Sequence, residues 1–332
     1  MLSFGVVLVV LLLELFTAQS SWTQLIVLAA LALASLVHWL DTAVEAGWMP
    51  EHTIGWPTKP ERTAPYVAGA VQVVAYCLLE LVFVFVLNAA RDCHPLLANP
   101  TNRNVLARIA FSVVVLVYIG WQGCAMYTEL DWQRAVEAAT PSERLYVYVP
   151  RMHFLCAVMT SFQVKNLLDT LRWRDGPEFV AHHIATIVVG VCCDDAAFCH
   201  LYGIFYFGIS EVSTAFVSTL AAFDPDHGVP ALSEHLPLTK AVLGGCFVVS
   251  FLAIRIVVWP IVSWWLVRDA LVVLSDGTAH SAPVLVVIMT MLSGLTLLQF
   301  VWLGEIIRRV RDEFAQIRTM AGRNKAGVAK AA

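Results

Sequence analysis

Residues 174–193 read RDGPEFVAHHIATIVVGVCC, an apolar run of membrane-helix character that carries two adjacent histidines, His182 and His183. Hydrocarbon offers no water to either ring, so titratable groups at such depth are costly and mark pairing or function. Asp175 suits a helix N-cap, Pro177 fits a first turn, and Glu178 stands three residues after Asp175 in capping-box spacing. The helix is therefore expected to begin at 175–177 and to run to the Cys192–Asp195 region. On a 3.6-residue period Asp175, Glu178, His182, Thr186 and Cys193 fall along one stripe, which belongs against other helices or a cavity. His183 lies about 100° further round. One imidazole can thus react while the other hydrogen-bonds or shapes the wall; the blander alternative makes both plain interhelical hydrogen-bonding residues.

The rest of the chain agrees with a membrane setting. Of 332 residues, 59% are hydrophobic and 14% charged, and the mean hydropathy is +0.72, outside the range of soluble domains. Spans of about 20 residues fit at 66–90, 104–127, 146–168, 178–194, 198–222, 242–267 and 282–307. Region 4–40, interrupted near Gln19-Ser20-Ser21, holds one long or two short spans, which takes the count from seven towards nine. Residues 4–16 could instead be the core of a signal peptide, although the basic residues expected before such a core are missing. The expected fold is an all-α polytopic transmembrane helix bundle with a polar intramembrane cavity. Residues 1–64 supply the N-terminal span or spans and a polar loop, 65–312 the membrane domain, and 313–332 a basic tail.

The tail is rich in Arg and Lys, which predicts a cytosolic C-terminus. Counting spans backwards then puts Arg172 and Arg174 on the cytosolic side and His182 and His183 one to two turns beneath it. No basic patch with interleaved aromatics points to nucleic acid. Cys192, Cys193 and Cys199 gather at the far end of the histidine helix, where a disulfide is chemically feasible but a mixed Cys/His metal site with the histidines is not expected.

The following span carries Ser210-Glu211-Val-Ser213-Thr214. If the two spans form an antiparallel hairpin turning near residue 195, His182 and Glu211 differ in depth by only roughly 5 Å at the α-helical rise. They are then expected to meet, either as a base or nucleophile with its orienting carboxylate or as a structural hydrogen bond. Arg255 is a second intramembrane charge in need of a partner, for which Glu211 and Glu80 are candidates. Lys165 and Asp169 have the spacing of a helical ion pair. Gln299, Trp302 and Glu305 share one face of the last span, where they line the cavity or simply pack.

These motifs resemble the TLC-domain family, which includes ceramide synthases and several lipid-regulating or trafficking proteins. The spacing from Asp175 to His182-His183-Ile-Ala-Thr186, the run Ile254-Arg255-Ile-Val-Val-Trp-Pro260, and Leu298-Gln299-Phe-Val-Trp302 with its basic exit are each similar to family motifs and occur in order. The resemblance covers roughly residues 65–312. It departs at the helix after the histidines: ceramide synthases carry a pattern close to His-Asp-x-x-Asp, whereas here one acid, Glu211, remains. Glu211-Val-Ser-Thr-Ala-Phe216 is more similar to the Glu-Leu-Ser-Thr-Pro-Phe run of a divergent branch of the family.

The resemblance implies a catalytic set of His182, His183 and Glu211. Asp175, Thr186, Ser210, Thr214, Arg255, Gln299 and Trp302 would line the substrate cavity. It implies N-acyl transfer from a fatty acyl-CoA co-substrate to a sphingoid base in the endoplasmic reticulum membrane, with no bound cofactor or metal. Membrane lipids are the partners, and a homodimer is compatible with it. A second reading makes the protein a non-catalytic lipid binder that adjusts membrane composition or trafficking.

Overall fold

The computed structural model describes residues 63–331 apart from 175 and 197, with side chains from 72 to 312 apart from 175 and 194–197. The expected span or spans of region 4–40, the signal-peptide alternative, Asp175 and the tail's side chains lie outside the described residues. Seven long helices carry the fold: α1 (Thr63–Ala89), α2 (Pro100–Glu129), α3 (Pro150–Trp173), α4 (Pro177–Ala196), α5 (the helical segment His200–Phe223), α6 (Pro237–Ser275) and α7 (Ala282–Ala331). No strand occurs among the described residues. Each helix overlaps one expected apolar stretch. By length and composition α1, α2, α5, α6 and the Ala282–Asp312 part of α7 can cross a membrane. The other two fall short: α3 contains Arg151, Lys165, Asp169 and Arg172, and the apolar part of α4 is only Pro177–Cys193.

Helix starts follow local chemistry. Proline opens α2, α3, α4 and α6, where its missing N–H costs nothing. Before α2 the Asn99 side chain also accepts a hydrogen bond from Thr101 N at 2.9 Å. α3 stops at Arg174, whose φ of 57° is left-handed and turns the chain into α4.

The neighbours of each helix set the site. α4 packs against α3 and α7, whereas α5 packs against α2 and the first half of α6. The antiparallel α4–α5 hairpin expected from the sequence is therefore corrected. Its physical cause is a backbone contact: a Cβ on Gly123 of α2 would come within 2.4 Å of Gly208 Cα in α5, so only glycine lets these helices touch. α5 is held there along its length. It also contains a π-helical stretch, Ile204–Ile209, in which Ser210 N bonds Phe205 O at 3.0 Å. The wider turn rotates the residues after it relative to an α-helical register, turning Glu211 towards α6. A second π-helical stretch, Leu252–Val258, lies in α6 and contains Arg255.

At the end of the bundle away from the histidines, a buried charge network anchors the connecting segment 130–149. Asp269 of α6 is fully buried and receives Arg144 Nε at 2.5 Å, Arg144 Nη2 at 2.8 Å and the Tyr202 hydroxyl at 2.5 Å. Arg144 also donates to the carbonyls of Val136 and Ala139. Trp132 Nε1 bonds Leu201 O at 2.7 Å, and Tyr146 stacks on His280. Cys192, Cys193 and Cys199 are free thiols, so the disulfide considered from the sequence is not formed.

Removing one member of a buried ion pair leaves the other charge uncompensated, at a cost of about 3–5 kcal/mol. Asp269→Ala is expected to lower the melting temperature of the full-length protein in detergent steeply. An Asp269→Ala protein that melts with the wild type would show that the network does not hold the connecting segment.

Candidate functional site

His182 and His183 occupy the second turn of α4 and point in different directions, with ring centroids 5.3 Å apart and planes at 61°. His183 is buried and turns to α3, where its Nδ1 lies 2.6 Å from Gln163 Oε1. A carbonyl oxygen only accepts, so Nδ1 is the donor in this bond. The opposite amide orientation would turn the oxygen towards Met159 Sδ, which has no proton to give; as placed, Gln163 Nε2 donates to that sulfur at 3.8 Å. Gln163 was not singled out from the sequence. The signal was present, an uncharged amide in an apolar span, but nothing in the spacing said that α3 would be the neighbour of α4.

His182 turns to α7 instead. Its ring meets Trp302 edge to face at 5.2 Å, and Phe179 stacks on the other side of the contact, 6.3 Å from the same indole. His182 Nδ1 is sealed from solvent and has no hydrogen-bond partner. Trp302 Nε1 shares that condition. One turn earlier on α7, fully buried Gln299 donates to Leu295 O at 3.0 Å, and its Oε1 is likewise without a partner. Native proteins leave few buried polar atoms unpaired. An indole donor, an amide acceptor and an imidazole nitrogen left so on two packed helices form a polar lining with capacity to spare. Thr186 contributes less than expected, because its hydroxyl donates back to His182 O at 2.9 Å.

The third part of the site lies between α5 and α6. Arg255, 5% exposed, donates from Nε to Ser213 Oγ at 3.1 Å and from Nη2 to Thr214 Oγ1 at 2.7 Å, Ser210 O at 3.0 Å and Glu211 Oε1 at 3.2 Å. Its guanidinium sits 5.1 Å from the centroid of the Trp259 ring. Ser210 Oγ donates to Tyr206 O at 2.6 Å and to Glu211 Oε1 at 3.1 Å. The partner of Glu211 is thus Arg255, not His182 as the hairpin required. Of the two acids considered for Arg255, Glu80 is engaged elsewhere, at 2.5 Å from Lys165, which also holds Asp169 at 2.6 Å. Arg255 Nη1 makes no hydrogen bond among the described residues. Of the residues expected to line a cavity, Ser210, Thr214, Arg255 and Glu211 form this ion-pair cluster, Gln299 and Trp302 join His182, and Glu305 is taken by Arg308 and Arg309 at the α7 exit. Among the described residues no three His, Cys, Asp or Glu side chains converge on a point that could hold a metal ion.

The sequence profile of the TLC domain matches residues 106–308, more than half of the chain and inclusive of Gln163, His182, His183, Glu211, Arg255, Gln299 and Trp302. The chain belongs to the TLC-domain family. It is a multi-pass membrane protein of lipid metabolism or regulation. No curated protein and no solved structure matches the chain. Within this TLC domain the histidines are supported by α3 and α7, and the arginine by α5. Gln163→Leu leaves the His183 Nδ1–H unpaired and is expected to cost about 1–3 kcal/mol, read as a lower melting temperature, whereas Gln163→Glu keeps an acceptor and loses less. Equal melting temperatures for wild type and Gln163→Leu would argue against the bond.

Proposed function

We propose that the protein is an acyl-CoA-dependent N-acyltransferase of the ceramide synthase kind, with His182 as the imidazole that faces substrate. The observation that carries this reading is the unpartnered, sealed Nδ1 of His182 beside two further unpartnered polar atoms, Trp302 Nε1 and Gln299 Oε1. A structural histidine would be expected to look like its neighbour His183, tied to a side chain on another helix. His182 then serves either as the base that takes the amine proton of a sphingoid base or as the acyl acceptor. As acceptor, an imidazole nitrogen adds to the thioester carbonyl, the coenzyme A thiol leaves with a proton, and the amine displaces the imidazole to give the amide. Trp302 Nε1–H and the spare donor of Arg255 are suited to developing negative charge on the carbonyl oxygen. Glu211 acts through Arg255, which it holds, and not by orienting an imidazole.

One observation favours a second reading. With Glu211 engaged by Arg255, no described carboxylate supports the charged form of His182, as would suit a non-catalytic protein that holds a lipid headgroup in the same lining. The proposal further sets the C-terminus in the cytosol and the protein in the endoplasmic reticulum membrane, supported by the Arg-rich exit of α7 and by Arg172 and Arg174 at the α3–α4 turn.

Purified full-length protein supplied with acyl-CoA and a sphingoid base should form N-acyl product, and His182→Ala should reduce the rate by about 100-fold or more. Mass spectrometry of the wild type, quenched after acyl-CoA alone, distinguishes an acyl-imidazole adduct from a base mechanism. Retained intact lipid with no turnover in the wild type would overturn the transferase reading in favour of the binder.

A further inference from the structure

Most arginines in this bundle keep company with acids, and Arg103, which does not, is held by Asn88 Oδ1 and the carbonyls of Leu97 and Ala98. Buried Arg144 and Arg255 pair with acids, and exposed Arg91, Arg134, Arg308 and Arg309 each have a carboxylate within 3.5 Å. Arg108 of α2 and Arg172 at the end of α3 break the pattern. Both converge on one indole: the Arg108 guanidinium lies 4.9 Å and that of Arg172 5.7 Å from the Trp173 ring centroid. Neither has a carboxylate partner among the described residues, and Arg174 next in the chain, held in its left-handed turn, has none either. Like charges gathered without a counter-ion among the described residues repel. The N–H forks of Arg108 and Arg172 make no hydrogen bond among the described residues, and such forks grip tetrahedral oxyanions in two-pronged fashion.

We propose that Arg108 and Arg172 over the Trp173 ring, with Arg174 next in the chain, form a phosphate-binding site at the α3–α4 turn. Trp173 is 43% exposed, so the site is open to ligand. It stands ten residues along α3 from Gln163, about 15 Å at the helical rise, and α4 starts there, five residues before His182. A phosphate held by these arginines therefore sits at the same end of the bundle as the histidines, at a distance that a pantetheine arm or a lipid glycerol backbone can bridge. The ligand chemistry is one, a phosphate ester, and two sources present it: coenzyme A from solution or an anionic phospholipid in the bilayer. The site stands without turnover, so it does not fall if the transferase reading falls.

The full-length protein in phosphatidylcholine nanodiscs, titrated with coenzyme A, should show a saturable fluorescence change that Trp173→Phe removes. The pair Arg108→Gln with Arg172→Gln should weaken it by about tenfold or more, and the corresponding lysine pair should recover part of the loss. A response only when the nanodiscs contain phosphatidylglycerol assigns the site to lipid; a response to coenzyme A in neutral nanodiscs assigns it to the soluble ligand. Equal responses from wild type and the glutamine pair to both probes overturn the site and leave the arginines as topology charges. Should the glutamine pair fail to fold, the wild type decides alone: binding that is indifferent to salt is incompatible with a phosphate held by arginines.

Discussion

A polar atom inside this bundle has no water to turn to, and the helices are arranged by how those atoms are matched. Gln163 joins α3 to α4 through His183. Glu211 and its neighbouring hydroxyls join α5 to α6 through Arg255, and Asp269 joins α6 to α5 and to the connecting segment through Tyr202 and Arg144. In hydrocarbon, association gains little from apolar contact alone, because lipid tails are as oily as leucine. The interhelical pairs therefore act with the close Gly123–Gly208 backbone contact in setting which helices are neighbours. Against that background, three of the unmatched atoms, on His182, Gln299 and Trp302, belong to the neighbouring helices α4 and α7.

Much of this was legible in the sequence. Hydropathy located all seven described helices, because crossing length is written in the run of apolar residues. The cost of charge in hydrocarbon singled out the histidines, Glu211 and Arg255 before any coordinates, and with them the Arg255–Glu211 pair as one of two options. Neighbour choice was not legible. Spans adjacent in sequence need not pack as a hairpin, and a uniform α-helical rise does not hold through the π turn at Ile204–Ile209. Gln163 and the Asp269–Arg144 pair escaped for the same reason: a side chain's partner on a distant helix leaves no trace in local spacing. The Gly123–Gly208 contact, which decides the matter, is carried by residues with no side chain to read.

The two imidazoles illustrate how unlike adjacent positions on a helix can be. A step of about 100° takes one ring into a saturated contact with an amide and the other to an indole with nothing to accept from it. Chemistry at such a site is divided between a fixed wall and a free face, and the family's acid motif is recast here as an ion pair that fixes an arginine.

The touching backbones at Gly123 and Gly208 also have a mechanical meaning. Two helices whose main chains are in contact have no rotamers between them to yield, so α2 and α5 must travel as a single strut. Compliance is left to the other flank, where α4 meets α7 through the rings of His182, Phe179 and Trp302.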